Sequence, residues 1–357
     1  MDTTDRLNFG IIGCGRIAIH KHIELVAREI KQAHLSAVCD IQSDRARRWG
    51  EKYGVPHYAD YHDMVRRHPE IDVVTVLTES GNHARHVLDL AVYGKHIIVE
   101  KPMALRIGDA ESMIAACAKN RCRLFVVLQN RYNPAVRKVK EAVDAQRFGD
   151  LFMATVRVRW CRRQPYYDQD AWRGTWKMDG GALSNQASHH LDLLAWLAGD
   201  VQSVYARSMN AFARIEAEDT GVAVLRFKSG ALGTIEATTA ARPTDTEGSI
   251  SIMGCKGMAE IGGFAANQLR TWQFEDREPG DDEAIMKYMT NPPSVYGYGH
   301  AQCLRDIIGA IQSGRASLVD GAEGMKSLAL IHALYASIET GREAFLADRP
   351  ISARLGV

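Results

Sequence analysis

Over the first 128 residues, short runs of β-branched and other apolar residues alternate with longer amphipathic segments. Each short run stops at glycine, proline or a polar residue, which is typical of a buried parallel strand. Strands are predicted at residues 7–12, 35–40, 72–77, 97–99 and 124–128. Helices are predicted from the glycine-rich turn to about residue 30, and at residues 44–52, 61–68, 83–93 and 108–120. This alternation predicts a doubly wound parallel sheet.

The pattern changes near residue 130. Further strands are predicted at residues 152–160, 201–211, 219–227, 231–239, 249–253 and 257–261. Helices are predicted at residues 134–145, 180–198, 300–313 and 321–341. Strands that follow one another without intervening helices favour a largely antiparallel sheet. We therefore expect a second, α+β unit on a large open sheet, with one face free for a partner subunit.

A glycine-rich turn joins the first predicted strand to the first helix. It begins at Gly13 and Gly15, continues to Ala18, and the second strand ends at Asp40. This is the G-x-G-x-x-A form of the dinucleotide-binding fingerprint, in which the glycines admit a pyrophosphate to the helix N-terminus. A carboxylate at Asp40 suits an adenosine ribose and repels a 2′-phosphate, so NAD is favoured over NADP.

The fingerprint defines the expected fold class and domain organisation. Residues 1–130 are predicted to form an NAD-binding Rossmann domain with a doubly wound parallel sheet. Residues 131–357 are predicted to form a C-terminal α+β domain on a large open, mostly antiparallel sheet, which binds substrate and forms oligomers.

The strand at residues 97–99 runs directly into Glu100-Lys101-Pro102. In open α/β sheets, ligands bind beyond the carboxyl ends of the strands, so Lys101 is expected at the mouth of a cleft. A lysine on a surface loop is the alternative interpretation. The residues of the first domain that are expected to contact NAD are Gly13, Gly15, Arg16, Ile17, Asp40, Thr78, His83, Glu100, Lys101 and Gln129.

The helix predicted at residues 180–198 carries Asn185, His189 and Asp192. Spacings of four and three place these side chains on one helix face. His189 is the natural general base or acid, because the ordinary pKa of histidine lies near neutrality. A core histidine that is bonded to Asp192 or Asn185 is the alternative.

Arginines and aromatic residues are mixed in the segment before this helix. Such a mixture suits an anionic ligand that carries a ring, since arginine binds carboxylate or phosphate and aromatic rings stack. An aromatic-rich surface loop is the alternative. The candidates for substrate or cofactor in this part of the chain are Arg131, Arg157, Arg159, Tyr167, Trp172 and Arg173.

The glycine-rich turn, Glu100-Lys101-Pro102 and the segment Gly180-Gly181 to Asp192 together resemble the Gfo/Idh/MocA oxidoreductase family. The resemblance covers essentially the whole chain. It implies NAD bound across the first domain, and a homotetramer built through the open sheets. It also implies that Lys101 and His189 act at the reacting carbon, and that Trp172 and Arg173 lie near the nicotinamide.

Within that family the chain is most similar to the UDP-N-acetyl-2-amino-2-deoxy-D-glucuronate 3-dehydrogenases. The stretches that carry this similarity are residues 168–176, 185–189, 218–221, 247–250 and 294–300. The resemblance implies a UDP-sugar substrate, oxidised at C3 during synthesis of a surface polysaccharide. Many family members carry Asp where this chain has Asn185. Asn185 can orient His189 but cannot raise its basicity by charge, which gives Lys101 more weight as the proton acceptor.

Composition excludes other classes of function. With 44 basic and 43 acidic residues, the net charge is +1, which gives no electrostatic basis for binding nucleic acid or membrane. Residues 1–8 lack the apolar core of a signal peptide, and no run reaches the length of a membrane span. The seven cysteines are scattered and form no Cys-x-x-Cys pair. We therefore expect a cytoplasmic protein without a metal site.

Two other functions are compatible with the same motifs. One is a dehydrogenase of this fold that acts on UDP-N-acetylglucosamine, a free sugar or a cyclitol. Such neutral substrates do not need carboxylate-binding arginines. The other is a non-catalytic NAD-binding sensor, which needs the fingerprint but not Lys101 or His189.

Overall fold

The computed structural model describes residues 6–289, 297 and 299–357. Of the motif at residues 294–300, residues 294–296 and 298 lie outside the described residues, as do residues 1–5 of the polar N-terminal segment. The chain forms two compact units. Unit 1 comprises residues 1–128 and 300–325, and unit 2 comprises residues 129–299 and 326–357. No helix in the described ranges is long and apolar enough to cross a membrane.

Unit 1 is built on a six-stranded parallel sheet with the order β3-β2-β1-β4-β5-β6. Its strands are β1 (Leu7–Ile12), β2 (Ala33–Cys39), β3 (His57–Tyr58), β4 (Val73–Val76), β5 (His96–Val99) and β6 (Leu124–Val126). The central strands are apolar on both faces because helices cover both sides of a parallel sheet. Ile97, Ile98 and Val99 are all fully buried. The doubly wound parallel sheet is therefore confirmed.

The helices of unit 1 connect these strands. They are α1 (Arg16–Lys21), α2 (Ser43–Tyr53), α3 (Tyr61–Arg67), α4 (His83–Ala91) and α5 (Ile107–Lys119). The first helix is shorter than predicted, because it ends at Lys21 and a π-helix, Leu25–Glu29, follows it. That break leaves His22 at the end of α1, facing inward and fully buried.

The chain returns to unit 1 after residue 299. Helix α10 (Gly299–Ser313) and the segment after it pack on the end of the sheet, where the Val126 N–H donates to the Val319 carbonyl at 2.8 Å. The sequence pattern assigns all of residues 131–357 to the second domain. A domain boundary at residue 130 stays a prediction. The compact units differ from that division because residues 300–325 belong to unit 1.

Unit 2 is built on an eight-stranded mixed sheet with the order β13-β12-β11-β7-β10-β9-β8-β14. The strands are β7 (Leu151–Arg159), β8 (Val201–Met209), β9 (Thr220–Phe227), β10 (Leu232–Thr238), β11 (Glu247–Gly254), β12 (Gly257–Gly262), β13 (Gln268–Phe274) and β14 (Ala344–Phe345). Neighbouring strands are antiparallel except for β7 and β10. The prediction of a large, mostly antiparallel sheet is confirmed.

One face of this sheet is covered by helices. The helices of the second half are α6 (Pro134–Asp144), α7 (Gln164–Asp168), α8 (Ser188–Ala198), α9 (Asp281–Lys287) and α11 (Gly321–Thr340). Helix α8 packs against β7 and β11. The continuous helix predicted at residues 180–198 is wrong: a π-turn, Ala182–Gln186, precedes α8, and Ala187 lies between them with ψ of −4°. The strands β3, β13 and β14 and the helices α7 and α9 were not predicted.

Candidate functional site

The glycine-rich turn has the geometry that the fingerprint predicts. Gly13 has φ of +90°, and a Cβ there would lie 2.7 Å from the Leu77 carbonyl oxygen, so the position requires glycine. A Cβ at Gly15 would meet no atom within 4 Å, which leaves space for a ligand over the turn. Arg16 is exposed and Ile17 is half-buried at the start of α1. The turn is thus open where a pyrophosphate would approach the helix N-terminus.

Asp40 ties the turn to the end of β2. Its carboxylate accepts the Cys14 N–H at 2.8 Å and the Gln42 N–H at 2.8 Å. These bonds fix the carboxylate beside the turn, where an adenosine ribose is expected from the fingerprint. The residues present therefore fit NAD.

Glu100 directly follows the end of β5, and its carboxylate is buried inside unit 1. Its Oε1 lies 2.9 Å from His22 Nε2 and 3.9 Å from His300 Nε2, and its Oε2 accepts the Lys101 N–H at 3.1 Å. Glu100 therefore joins three segments of unit 1: the end of α1, the end of β5 and the start of α10. Through the last of these bonds it fixes the backbone of Lys101.

Glu100 is held as an anion. Burial alone would raise the pKa of its carboxyl, but the hydrogen bond from His22 and the nearby charges of His22, His300 and Lys101 outweigh it and lower the pKa below 4.5. No metal site was expected, yet His22, Glu100 and His300 bring three possible ligand atoms within 4.8 Å of one another. Since His22 Nε2 is hydrogen-bonded directly to Glu100 Oε1, we interpret the cluster as a hydrogen-bonded one.

Thr78 and His83 lie at the next strand end, after β4. His83 is buried, with Nδ1 at 2.8 Å from the Pro102 carbonyl oxygen and Nε2 at 3.0 Å from the Thr78 carbonyl oxygen. The hydroxyl of Thr78 lies 2.9 Å from His86 Nδ1. His83 thus links the loop after β4 to the loop after β5. A direct contact of either residue with the cofactor stays a prediction.

In unit 2, a short 3₁₀ helix (Gln129–Tyr132) meets the first turns of α8. Gln129 Nε2 lies 2.9 Å from His189 Nε2, so in this orientation the amide donates to the imidazole. One helical turn further, Arg131 makes a bidentate ion pair with Asp192, at 2.8 and 2.7 Å. Arg131 and Asp192 are both 2% exposed. Asp192 is therefore the ion-pair partner of Arg131.

The π-turn carries Asn185. Its side-chain amide donates to Asp179 Oδ1, and Asp179 Oδ2 accepts the Gly174 N–H at 2.8 Å. Asn185 is half-buried and His189 is 9% exposed. A π-turn is uncommon and occurs often at functional sites. The acidic neighbour of Asn185 is thus Asp179, which sequence reasoning did not identify, because nothing in its spacing distinguishes it.

Trp172 and Arg173 lie in the loop that leads to Asp179. The Arg173 guanidinium donates to Asp170 at 2.9 Å and to the Tyr166 hydroxyl at 2.6 Å. It also stacks at 4.6 Å from the rings of Tyr166 and Trp172. Because Gln186 donates to the same Tyr166 hydroxyl at 2.9 Å, Arg173 is connected to the π-turn of Asn185.

The structure does not bring two other candidates, Arg157 and Arg159, to this place. Arg157 and Arg159 lie on β7, whose alternate residues Ala154, Val156 and Val158 are buried. Because successive strand residues point to opposite faces and α8 packs on the buried face, the two arginines lie on the open face. There Arg159 pairs with Glu236 and Glu247, and Arg157 with Glu247 and Glu260.

Tyr167 is a buried residue of the aromatic segment. Its hydroxyl lies 2.8 Å from the Thr239 hydroxyl, and burial raises its pKa to about 12. It therefore remains protonated and belongs to the packing between α7 and the end of β10. A contact with substrate stays a prediction for Arg157, Arg159 and Tyr167.

Two family models match the chain. The oxidoreductase-family model GFO_IDH_MocA, described as an NAD-binding Rossmann fold, matches residues 7–128. The model of that family's C-terminal alpha/beta domain matches residues 140–346. The two matches together account for most of the chain.

Two solved structures with high similarity come from bacterial WlbA dehydrogenases, each in complex with NADH and UDP-GlcNAcA. The Bordetella pertussis protein is 39% identical, with a TM-score of 0.88 over 95% of this chain and 98% of that one. The Chromobacterium violaceum protein is 38% identical, with a TM-score of 0.89 over 96% and 97%. Among curated proteins, the myo-inositol 2-dehydrogenase of Thermotoga maritima is 29% identical over 96% of this chain and 99% of its own length.

Proposed function

The chain belongs to the Gfo/Idh/MocA family of NAD-binding oxidoreductases, and we propose that it oxidises the C3 hydroxyl of UDP-N-acetyl-2-amino-2-deoxy-D-glucuronate. The product is the 3-keto sugar nucleotide, on the way to a 2,3-diamino uronic acid of a surface polysaccharide. The observation that carries this proposal is the similarity, at 38–39% identity over nearly the whole length, to two dehydrogenases bound to UDP-GlcNAcA. The curated inositol dehydrogenase is 29% identical.

The proposed chemistry is the removal of a proton and a hydride from a secondary alcohol. When bound, NAD accepts the hydride. The chain must supply a group within hydrogen-bond reach of the hydroxyl to take the proton. We assign this task to Lys101 and His189, one acting as base and the other as a donor that stabilises the developing alkoxide.

The hydrogen bonds of unit 2 bear on the part played by His189. Gln129 Nε2 lies 2.9 Å from His189 Nε2, so Gln129 helps to fix the orientation of the imidazole. Asn185 is bonded to Asp179. We propose that Asn185 orients the sugar rather than activating His189, and that Lys101 is the principal proton acceptor.

The acidic groups of the substrate require a cation. Arg173 is the best candidate among the arginines predicted from the sequence, because it is connected through Tyr166 to the π-turn of Asn185. Arg131 is held by Asp192, and Arg157 and Arg159 lie on the open face of the sheet. We therefore propose Arg173 for the uronate carboxylate or the diphosphate.

The test is to incubate the protein with NAD and a set of substrates, and to follow the absorbance of the reduced cofactor. We expect reduction with UDP-N-acetylglucosaminuronate and much less with UDP-N-acetylglucosamine, glucose or myo-inositol. Lys101→Met and His189→Ala should each abolish turnover while NAD binding survives. The exposed Lys119, at the end of α5, supplies the matched control Lys119→Met. Activity on inositol, with none on the UDP-uronate, would refute the substrate assignment.

A free cyclitol or sugar remains the second candidate substrate. The observation that favours it is the full-length match to myo-inositol 2-dehydrogenase. Arg173→Ala separates the two, since a neutral cyclitol needs no carboxylate-binding arginine. Loss of activity in that variant supports the acidic substrate, whereas unchanged activity on inositol supports the cyclitol.

We further propose a cytoplasmic homotetramer that associates through the open face of the eight-stranded sheet. That face exposes Tyr205, Val224 and Leu232, of which Val224 is 57% and Leu232 60% exposed. Exposed apolar residues on one face of a sheet are typical of an association surface. Val224→Lys should convert the tetramer to a smaller species in size-exclusion chromatography with light scattering, and a wild-type monomer would contradict the proposal.

A further inference from the structure

The Glu218 carboxylate is buried in unit 2, against the start of the π-turn that carries Asn185. It is 3% exposed and lies just before β9. Its Oε1 accepts the Leu183 N–H at 2.8 Å and the Tyr335 hydroxyl at 3.0 Å. Its own carbonyl oxygen accepts the Ala182 N–H at 2.8 Å. One residue thus receives two successive N–H groups of the turn.

Tyr335, on α11, accepts a hydrogen bond from a third N–H group at the start of the turn. The Gly181 N–H donates to its hydroxyl oxygen at 3.2 Å, while the hydroxyl proton goes to Glu218. The first N–H groups of any helical segment have no partner within the segment, and they must be satisfied from outside when they are buried. Glu218 and Tyr335 supply those partners for Gly181, Ala182 and Leu183.

The diglycine before the turn is explained by the same contacts. A Cβ on Gly181 would lie 2.2 Å from the Glu218 carbonyl oxygen and 2.3 Å from its Oε2. The backbone therefore approaches Glu218 as closely as only glycine allows. The fixed Gly181 carbonyl in turn accepts the Asn185 N–H at 3.0 Å, so the position of Asn185 follows from that of Gly181.

We propose that Glu218 acts with Tyr335 as a positioning residue of the substrate site, by capping the turn that holds Asn185 and precedes the helix of His189. This inference rests on the proposed function in so far as Asn185 and His189 are site residues. The neighbouring Asp219 has a parallel task on another segment, since its oxygens accept the N–H groups of Ala211, Phe212 and Ala213.

The charge state of Glu218 gives the proposal a signature in pH. Burial, together with the nearby Asp179, raises the pKa of Glu218 to about 7, and the bonds from Leu183 and Tyr335 only partly oppose this. Within the described residues, Oε2 has no hydrogen-bond partner. The titratable groups that face Glu218 are Asp179 and the Tyr335 phenol, whose pKa is itself raised well above 10, so the phenol is neutral. Deprotonation near neutrality places an uncompensated charge under the turn.

Hydrogen exchange measured by mass spectrometry tests the capping without reference to any substrate. In Glu218→Ala, peptides that cover residues 180–190 should exchange about tenfold faster or more, whereas NAD binding to unit 1 should not change. Tyr335→Phe, which keeps the ring, should accelerate the same peptides by a smaller factor, so it provides the answer if Glu218→Ala does not fold. The exposed Glu275 supplies the control Glu275→Gln. Unchanged exchange in both site variants would overturn the proposal.

Steady-state kinetics test the consequence for the site. Glu218→Ala should lower kcat by about tenfold or more. The wild-type kcat should change near pH 7, where Glu218 ionises. Glu218→Gln resembles the protonated acid and keeps the acceptor for Leu183. Its kcat should therefore equal the wild-type value at pH 6 and should not change near pH 7. If Glu218→Gln is as damaged as Glu218→Ala, the neutral cap is refuted. If exchange responds as expected while the wild type leaves the UDP-uronate unreacted, the capping stands and the proposed function falls.

Discussion

Unit 1 and unit 2 each contain a buried glutamate beside a candidate catalytic segment, and the two differ in charge. Glu100 precedes Lys101, and Glu218 caps the turn that carries Asn185. The two carboxyls are 6% and 3% exposed. Nevertheless the pKa of Glu100 is lowered, whereas that of Glu218 is raised to about 7. Equal burial therefore does not determine the charge of a carboxyl.

The difference lies in the partners. Glu100 is close to groups that carry or can carry positive charge: His22, His300 and Lys101. The Glu218 carboxyl receives hydrogen bonds from backbone N–H groups and the Tyr335 hydroxyl, and Asp179 adds a negative charge nearby. The hydrogen-bond donors to Glu218 do not offset the cost of burying its carboxylate beside Asp179, whereas the positive groups around Glu100 do. The same residue type thus provides a fixed anion in one unit and a neutral cap in the other.

The largest effect is expected at Glu100. Glu100→Ala removes the buried partner of His22 and of the Lys101 N–H, and should lower the free energy of unfolding by about 4 kcal/mol at pH 7. Because folding lowers the pKa of Glu100, its contribution is present above pH 4.5 and is lost as the pH falls through the folded-state pKa. Denaturant titrations of both proteins between pH 3.5 and 8 measure the difference.

The matched control for this substitution is Glu111→Ala, at an exposed position on α5. It should change stability by less than about 0.5 kcal/mol. A loss below about 1 kcal/mol in Glu100→Ala, or a loss that does not shrink on acidification, would contradict the charged state of Glu100.

The second largest effect is of opposite sign. Between pH 4.5 and about 7 the folded protein binds more protons at Glu218 than the unfolded chain does, so stability falls as the pH rises through this window. Glu218→Gln cannot ionise. It should therefore match the wild type at pH 4.5 and exceed it by about 2 kcal/mol at pH 8.5. Denaturant titrations at the two pH values measure this difference in stability. If Glu218→Gln is less stable than the wild type at pH 8.5, Glu218 is ionised in the folded protein without a cost in stability.

Much of unit 1 could be predicted from the sequence because its signals are local. The apolar run at Ile97, Ile98 and Val99 has the length and composition of a buried strand. The positive φ of Gly13 follows from the fingerprint. Parallel sheets also place successive strand ends along one edge, which brings Asp40 and Glu100 into the expected region from chain order alone.

The partners of the two glutamates could not be predicted, because they are distant in sequence. His22 and His300 approach Glu100 from 78 residues before it and 200 residues after it, and no periodicity relates the three. Tyr335 meets Glu218 across a separation of 117 residues. The sequence shows the diglycine at Gly180-Gly181, but not which residue packs against it.

The π-turn shows a further limit of periodicity. Asn185 and His189 are four residues apart within a segment that the sequence pattern predicts to be one continuous helix. The outside bonds to Gly181, Ala182 and Leu183 favour a wider turn, and the helix starts afresh at Ser188. Tertiary contacts thus override the local pattern at the candidate site, where such exceptions are expected.

A smaller effect is expected at the partner of Glu218. Tyr335→Phe removes one donor to Glu218 and the acceptor of the Gly181 N–H, and should cost about 1 kcal/mol. Without that donor the Glu218 carboxylate is less well solvated, so its pKa should rise further. The stability loss should therefore be larger at pH 8.5 than at pH 5, as measured by denaturant titration. Tyr288→Phe, at the end of α9, is the control. If Tyr335→Phe loses the same stability at both pH values, Tyr335 does not affect the ionisation of Glu218.

The smallest effect is expected at an exposed glutamate, which completes the comparison. Glu70 lies 2.8 Å from His68 Nδ1, as Glu100 lies 2.9 Å from His22, but half of the Glu70 side chain is exposed. Burial raises the pKa of Glu70, but the hydrogen bond from His68, a backbone hydrogen bond and the nearby charges of His68 and Lys95 together outweigh burial and lower it. Water screens such a pair, so Glu70→Gln should cost less than about 0.5 kcal/mol, and less still in 1 M salt. A cost near that of Glu100→Ala would mean that geometry, rather than burial among cations, determines the strength of a glutamate–histidine pair.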